Sequence, residues 1–564
     1  MASYYVSCDS GDDTNNGNSN NPFKTIEKAS SLVKPGDMIL VYPGIYRERI
    51  VPLCSGTNIN KKISSIVYKG ITDQFGNKPI IRGSCPWSPT DLSNNICSGV
   101  ISDSLFTDLS HIDGGNPFEV PFSVTPYGIN GLPEYNMKET MTPKPDPSVS
   151  FCLGQVFVND EYYIQRGTEK DMQNTENTWW YNKINKTLYI HLPSYITNIE
   201  DVEIEITNQR RLCAPHKRGL KYIKIDNFIF ERCGNNYPNQ FWINPANQQA
   251  GAVGTRSGSF WTITNNTIRY ASGVGIDWGN EGGASQDIEI GTNGSAMGSY
   301  GHIITDNIIC DNGAAGTAAY MAKNVTFSNN TVMRNNNLQF YGKRRWESAG
   351  VKVHCPTGCT ITNNIITDNY CHGIWSDQGA GLNSVFKQNI LVNNKGSGIN
   401  FEIGVNTTGN VVQNVFDKNI NGITFSTSGG VTVSDNLFLT SELYDIETVL
   451  FTRPDKWTSD NVKIYNNIFT SSSTYLRLSP KDTTIPSNRY MNNNKYYCEL
   501  NDTKFSIIGQ KSPITLSIWS SYWLKSNNGS DSDENSQCLG NDQFQITDLA
   551  NDYDFYKKYL NRFE

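Results

Sequence analysis

The chain has 564 residues, of which 37% are hydrophobic, 18% charged, 47 Gly and roughly 66 Asn. Asn and Gly are poor helix formers, so this excess argues against a helix-rich protein, while 29 Tyr, 24 Phe and 11 Trp give too much to bury for a disordered one. A net charge of -7 without long runs excludes the basic face that nucleic acid requires, and no stretch approaches the ~18 apolar residues of a membrane span.

The opening MASYYVSCDSGDD lacks a basic region followed by an apolar one, so no secretory signal is expected in this chain. An amphipathic helix is predicted near 24–33 from Ile26, Ala29 and Leu32, stopped by Pro35-Gly36 and followed by the apolar strand MILVY. Such a helix can cover the open end of a stack of strands. Residues 1–100 are accordingly read as an N-terminal cap with first coils. Over 101–205 the alternating segments VFVNDEYYI, TLYIHL and VEIEI predict an inserted antiparallel β-domain.

From about residue 221 a pattern recurs: an apolar residue, two variable positions, Asn, then two mostly apolar residues. It reads IDNFIF, ITNNTI, ITDNII, FSNNTV, ITNNII, FKQNIL, VVQNVF, VSDNLF and IYNNIF, with Asn227, Asn266, Asn307, Asn330, Asn364, Asn389, Asn414, Asn436 and Asn467 as its markers. The shortest steps, roughly 22 to 25 residues, match one coil of a parallel β-helix. Longer steps are coils with inserted loops. Asn suits an inner turn because it tolerates unusual backbone angles and bonds neighbouring backbone groups, and stacked copies predict a ladder.

About nine residues after each Asn comes Gly and an alternating strand: GIDWG, GTAAY, GVKVH, GIWSD, GINFE and GITFS. Alternation directs Ile276, Val351, Ile374, Ile399 and Ile423 inward. Two outward columns remain. One holds Asp277, Ala318, Lys352, Trp375, Asn400 and Thr424, the other Gly279, Tyr320, His354, Asp377, Glu402 and Ser426.

Asp377 lies 13 residues after Asn364, and Glu402 lies 13 after Asn389. They therefore fall side by side on adjacent strands, about 4.8 Å apart. Carboxylates at that distance repel, so one of them is expected to hold its proton more tightly. A spacing near 5 Å also suits a glycosidase that retains configuration, with one carboxylate as nucleophile and the other as acid and base. Trp375 is expected to offer a sugar-stacking face, and His354 and Lys352 polar contacts. The loop LQFYGKRRWES places Arg345, Trp346 and Glu347 over this pair, WGNEGG adds Glu281 after Asp277, and APHKRG adds His216 and Lys217 from one end. Residues 206–485 are read as the main coils carrying the site, and 486–564 as a last coil and C-terminal cap. There TLSIWSSYW and an acidic SDSDE run read as a cap with a loop. The 13 Cys include no CxxC pair, and Cys355 and Cys359 lack a second ligand pair, so mostly buried free thiols are expected. No cofactor is expected, and calcium has no clear motif here.

On these residues the chain resembles a known group. YYVS…NPFKTIEKA…PGDMILVYPGIYRERI looks like the capped entry of right-handed parallel β-helix proteins acting on polysaccharides. RRLCAPHKRGLKYI, QQAGAVGTRSG, GVGIDWGNEGG, RRWESAGVKVH, DNYCHGIWSDQG and GSGINFEIG resemble glycoside hydrolase family 120, with family 141 as a near alternative. The resemblance covers most of 3–440. It implies an all-β fold, a right-handed parallel β-helix with an inserted sandwich-like domain, and a retaining β-xylosidase with Asp377 as nucleophile and Glu402 as general acid/base. Asp277, Glu281, Glu347, Lys352 and His354 would then hold sugar hydroxyls.

The leading expectation is thus a retaining glycosidase removing xylose-like units from an oligo- or polysaccharide. A polysaccharide lyase or epimerase acting on uronates is the second reading, since Lys352 stands near Asp377 as a potential base. The third is a non-catalytic glycan-binding or virion-surface protein. Oligomeric state stays open, as does the compartment, with an extracellular or virion-associated setting in view.

Overall fold

The computed structural model describes residues 1–106, 115–120, 152–235, 250–280, 299–338, 348–404, 407–449, 461–480, 490–526 and 532–540. The chain divides into two compact units. One comprises Met1–Ser299, Asn307–Ala318 and Asn336–Glu347; the other Tyr300–Asp306, Ala319–Asn335 and Ser348–Glu564.

In the first unit, Thr25 caps a short helix, Ile26–Ser30, by accepting from the Lys28 N–H. Glu48 reinforces this cap by accepting from the N–H groups of Ile26 and Glu27 at 2.9 and 3.0 Å. Ile26 and Ala29 are buried, but Leu32 is exposed because the helix stops before it, shorter than the predicted 24–33. The helix packs on strands Ser3–Val6 and Met38–Val41. Those two strands, Ile66–Gly70, Ile223–Asp226 and Thr262–Thr264 pair in that order, all parallel.

Strand Ile66–Gly70 pairs directly with Ile223–Asp226, and Pro79–Arg82 with Ile229–Cys233. Neighbouring coils therefore flank a long insertion. Its eight-stranded sheet runs from Ser84–Pro86 to Ile204–Thr207, so the insertion begins earlier than the expected 101. The sheet is antiparallel apart from one parallel pairing, Ile164 with Thr178 and Gln165 with Trp179. Its core gathers Trp87, Phe118, Trp179, Leu188, Ile190 and Ile206. A buried ionic network stands at the root of the insertion. Arg82 Nε donates to Glu231 at 2.7 Å, Arg232 to Glu205 at 2.7 Å, and Arg269 to Glu231 at 2.7 Å.

In the second unit, parallel strands stack coil upon coil. One sheet runs Ile303–Thr305, Thr326–Ser328, Thr360–Thr362, Leu382–Lys387, Thr408–Val412, Val431–Ser434, Lys463–Tyr465 and Tyr490–Asn492. Its central residues Ile304, Phe327, Ile361, Phe386, Val411, Val433, Ile464 and Met491 are all buried. A second sheet runs Ala349–His354, His372–Asp377, Ser397–Gly404, Val415–Ser428, Leu437–Val449, Thr474–Leu478 and Phe505–Ile507. Inside, Phe416, Phe438, Phe469 and Tyr496 stack ring on ring at 4.7, 4.8 and 5.1 Å.

The Asn ladder is real, and it explains the composition. Asn364 Nδ2 donates to Asn389 Oδ1 at 2.9 Å, Asn389 to Asn414 at 3.0 Å, and Asn414 to Asn436 at 3.0 Å. Each Oδ1 also receives the preceding Asn backbone N–H, so the buried side chains are satisfied. Just before these rungs stand Asn363, Gln388, Gln413, Asp435 and Asn466 in the left-handed region, φ between 54 and 58°. Asn and Asp enter that region at low cost, so one corner uses two polar residues per coil. A second ladder, not foreseen, lies five residues on: Asn335 donates to Asn369, Asn369 to Asn394, and Asn394 to Asn419.

One assignment changes in the first unit. Asn227 is not a rung; with φ of 69° it occupies the corner. Phe228 takes the rung position, and its N–H donates to Asn266 Oδ1 at 3.0 Å.

At the C-terminal end TLSIWSSYW forms most of a helix, Leu516–Ser526, that buries Trp519 and Trp523. The acidic run contributes Asp533, which accepts from Asn494 Nδ2, the Tyr496 hydroxyl and Trp519 Nε1 at 3.1, 2.7 and 3.2 Å. It is buried beside the end of the first ladder rather than solvated. All 13 cysteines are free thiols, eight of them buried.

Candidate active site

The Gly-marked strands pair in the register the spacing predicted. Lys352 pairs with Trp375 and His354 with Asp377; on the next coil Trp375 pairs with Asn400 and Asp377 with Glu402. One coil further, Asn400 meets Thr424 and Glu402 meets Ser426. The inward neighbours Val351, Ile374, Ile399 and Ile423 are fully buried, which fixes the outward face of the alternating residues.

Asp377 is the centre of the polar contacts. Its Oδ2 lies 3.3 Å from Lys352 Nζ and 3.0 Å from His354 Nε2. Oδ1 accepts the Gln378 N–H at 2.8 Å. Burial pushes the Asp377 carboxyl up, but the Lys352 charge, His354 and the Gln378 N–H outweigh it and hold the group below the ordinary carboxylate range. His354 is lowered to about 3, first by burial and then by Lys352, so its ring is neutral at pH 7. Cys355 is pushed up to about 11 by burial and by the Asp377 charge.

Trp375 is 4% exposed; one ring face carries the Lys352 ammonium at 3.5 Å, and His372 meets it edge-on at 5.3 Å. It forms a wall under Lys352. Lys352 and His354 are likewise turned to Asp377 and largely buried. Tyr320 stands behind His354 at 6.2 Å, edge to face.

A left-handed residue stands at or next to the end of each of these strands. Met321, Cys355, Gln378, Ile403 and Thr427 follow the outward column and have φ of 53, 49, 63, 55 and 53°. For the β-branched Ile403 this conformation is unfavourable by about 1–2 kcal/mol, so the turn beside Glu402 is imposed by the coils around it.

The other expected residues belong to the first unit or fall outside the described residues. His216 and Lys217 are exposed in the first unit, where His216 Nδ1 is 3.2 Å from the Pro52 carbonyl. Asp277, in the same unit, is fully buried and accepts the Gly279 N–H at 2.9 Å. Glu281, Arg345, Trp346 and Glu347 fall outside the described residues. Among the described residues no cluster of three His, Cys, Asp or Glu could hold a metal ion, and no helix is long and apolar enough to cross a membrane.

One polar column was read too short. After Thr424 it continues to Glu447 and Arg477, which are register partners and form an ion pair. Asn421 Nδ2 donates to Glu447 at 3.0 Å. The sequence hid this coil because Asp445 stands where earlier coils have Gly, removing the marker. Burial raises Asp445 to about 7, against hydrogen bonds from Ser472 and Ser441 at 2.5 and 2.7 Å.

Comparisons with known proteins agree with this architecture. The family described as a right handed beta helix region matches residues 250–438, and a family described as a protein of unknown function (DUF1565) matches 9–52. No curated protein matches the sequence. Among solved structures, that of XylC in complex with xylose is similar with a TM-score of 0.66 at 18% identity, covering 90% of this chain and 86% of that one. The lacto-N-biosidase of glycoside hydrolase family 136 from Eubacterium ramulus has a TM-score of 0.43 at 15% identity, over 84% of this chain and 67% of that one. At such identity these likenesses concern the fold: the chain is an all-β, right-handed parallel β-helix protein, similar in fold to XylC.

Proposed function

We propose that the protein is a retaining glycoside hydrolase that removes xylose-like units from an oligo- or polysaccharide. The observation that carries this reading is the register pair Asp377–Glu402 with Asp377 held ionised. Adjacent parallel strands set the two backbones about 4.8 Å apart, which suits double displacement better than the wider gap needed to seat a water between carboxylates.

In this mechanism an Asp377 oxygen attacks the anomeric carbon as the bond to the leaving oxygen breaks. Glu402 gives its proton to that oxygen. In the second half Glu402, now a carboxylate, takes a proton from water; the water oxygen bonds to the anomeric carbon and Asp377 leaves. Asp377 is equipped for the first role because its charge is already present before substrate arrives. The likeness to xylose-bound XylC supports a pentose as the first sugar to test.

The lyase or epimerase reading would have Lys352 remove a proton from the substrate. Its side chain is 2% exposed and committed to Asp377 and Trp375, which disfavours that role. The test is a panel of aryl glycosides, xylosides first, with wild type and Asp377→Asn. A 2-fluoro glycoside should leave a covalent sugar on Asp377, seen by mass spectrometry. Full hydrolysis by Asp377→Asn would overturn the assignment. Turnover that creates an unsaturated uronate chromophore instead of hydrolysing the glycosides would favour a lyase.

A further inference from the structure

Asp377 and Glu402 are register partners on adjacent parallel strands, whose backbones stand about 4.8 Å apart; like charges so placed disfavour one another, and nothing in the pairing itself decides which one keeps the proton. The decision lies on the preceding coil. Lys352 Nζ and His354 Nε2 converge on the same oxygen, Asp377 Oδ2, at 3.3 and 3.0 Å. Lys352 is placed there by strand register with Trp375, whose ring lies 3.5 Å from the ammonium. With a side chain 2% exposed, it acts as a fixed charge with little screening. It stands one coil from Asp377 and two coils from Glu402.

Resting on the glycosidase reading above, we propose that Lys352, held by Trp375 and seconded by His354, is the positioning residue that assigns the two roles: it places the negative charge on Asp377 and leaves the proton to Glu402. The groups facing Asp377 allow this. From the preceding coil come Lys352, the neutral ring of His354 and the neutral thiol of Cys355; from the following coil comes Glu402. Among the described residues facing Asp377, Lys352 supplies the formal positive charge. His354 Nε2 lies 3.0 Å from the same oxygen. The Gln378 N–H holds the other oxygen.

The test compares wild type with Lys352→Met, which keeps the aliphatic stem on Trp375, and Lys352→Arg, which keeps the charge. Two readouts are needed. In the first, the acid limb of the kcat/KM profile on an aryl xyloside should move up by at least one pH unit in Lys352→Met, with kcat falling at least about 30-fold and KM changing less than about threefold. Lys352→Arg should restore the limb in part. A merely structural residue would lower both parameters without moving the limb.

The second readout is independent of turnover. In protein carrying 13C-labelled aspartate, the Asp377 carboxyl, assigned by its loss in Asp377→Asn, should titrate below the ordinary aspartate range in wild type and at least one unit higher in Lys352→Met. An unchanged Asp377 titration in folded Lys352→Met, or an Asp377 protonated at pH 5 in wild type, overturns the proposal. If the titration moves but no glycoside is cleaved, the charge placement stands and the glycosidase reading falls. If glycosides are cleaved and the titration stays still, the reverse holds.

Discussion

Asp377 and Glu402 are direct register partners on adjacent parallel strands, and each is followed by a residue in the left-handed region, Gln378 and Ile403. The strand pairing sets their separation along the stack, and the two left-handed residues stand at equivalent positions directly after each carboxylate. Neighbouring outward positions on the same face are filled differently: Lys352 and His354 on the coil before, Thr424 and Ser426 on the coil after. Along the described strands the pair thus has a cation on the preceding coil and hydroxyls on the following one.

Removing either carboxylate should separate the two chemical steps. Asp377→Asn is expected to lose roughly three orders of magnitude in kcat/KM on every cleavable glycoside. Glu402→Gln should keep much of its rate on substrates with good leaving groups, such as dinitrophenyl glycosides, and lose it on alkyl ones, because only poor leaving groups need the proton. Equal losses on both substrates would contradict the acid role of Glu402.

The acid dependence of stability should carry opposite signatures from two buried groups. His354 binds its proton only near pH 3 when folded, against about 6.5 when unfolded. The unfolded chain therefore takes up the extra proton, and this site costs stability as pH falls from about 6.5 toward 3. Asp445 does the reverse: folded it keeps its proton to about 7, unfolded it loses it near 3.8, so it costs stability as pH rises through that window. His354→Gln should flatten the acid-side decline in melting temperature, and Asp445→Asn the decline toward neutral pH. The measurement is thermal unfolding at half-unit steps from pH 4 to 8.

Ladder and corner asparagines should differ sharply on substitution. Asn389 accepts from the backbone and side chain of Asn364 and donates to Ile361 and Asn414, all buried. Asn389→Ala orphans several of these groups, an expected loss of roughly 3–6 kcal/mol at about 1–3 per group. Asn227→Gly keeps the corner conformation and gives up only the hydrogen bonds from Asn227 Nδ2 to the Gly70 carbonyl and the Thr72 hydroxyl, so it should cost less, about 1–2 kcal/mol. Denaturant midpoints of the two variants test this ordering.

At the root of the insertion, Glu231 is fully buried between Arg82 and Arg269. Glu231→Gln leaves these guanidiniums without their carboxylate and should destabilise by about 3–5 kcal/mol. Pairing Arg82→Met with Glu231→Met should recover part of that loss. A double variant as unstable as the sum of the singles would refute the coupling.

The inserted sheet shows where sequence reading stops. Alternation over VFVNDEYYI, TLYIHL and VEIEI announced antiparallel strands, but Ser84–Pro86 and Asp91–Ser93 are three residues long and carry no legible alternation. Their membership follows from pairing with Glu205–Thr207 and Ile96–Ser98, partners distant in sequence or set by the whole sheet. Asn227 failed for a related reason. Two polar residues share each corner, and when Phe228 replaces the rung, the remaining Asn looks like the repeat one place out of step.

What the sequence by itself determined was register: a rung every coil, a Gly-led strand nine residues on, and hence Asp377 beside Glu402. Those relations are local and periodic, since alternation allows only two faces and the rung sets the phase. The tertiary structure alone decided what each outward side chain faces. Lys352 and Trp375 belong to the same column and would read equally well as sugar contacts; their burial and their contacts across coils turn them to Asp377 and to each other. Long side chains can reach several neighbours, and which one they meet depends on what covers them, a property that no spacing along the chain encodes.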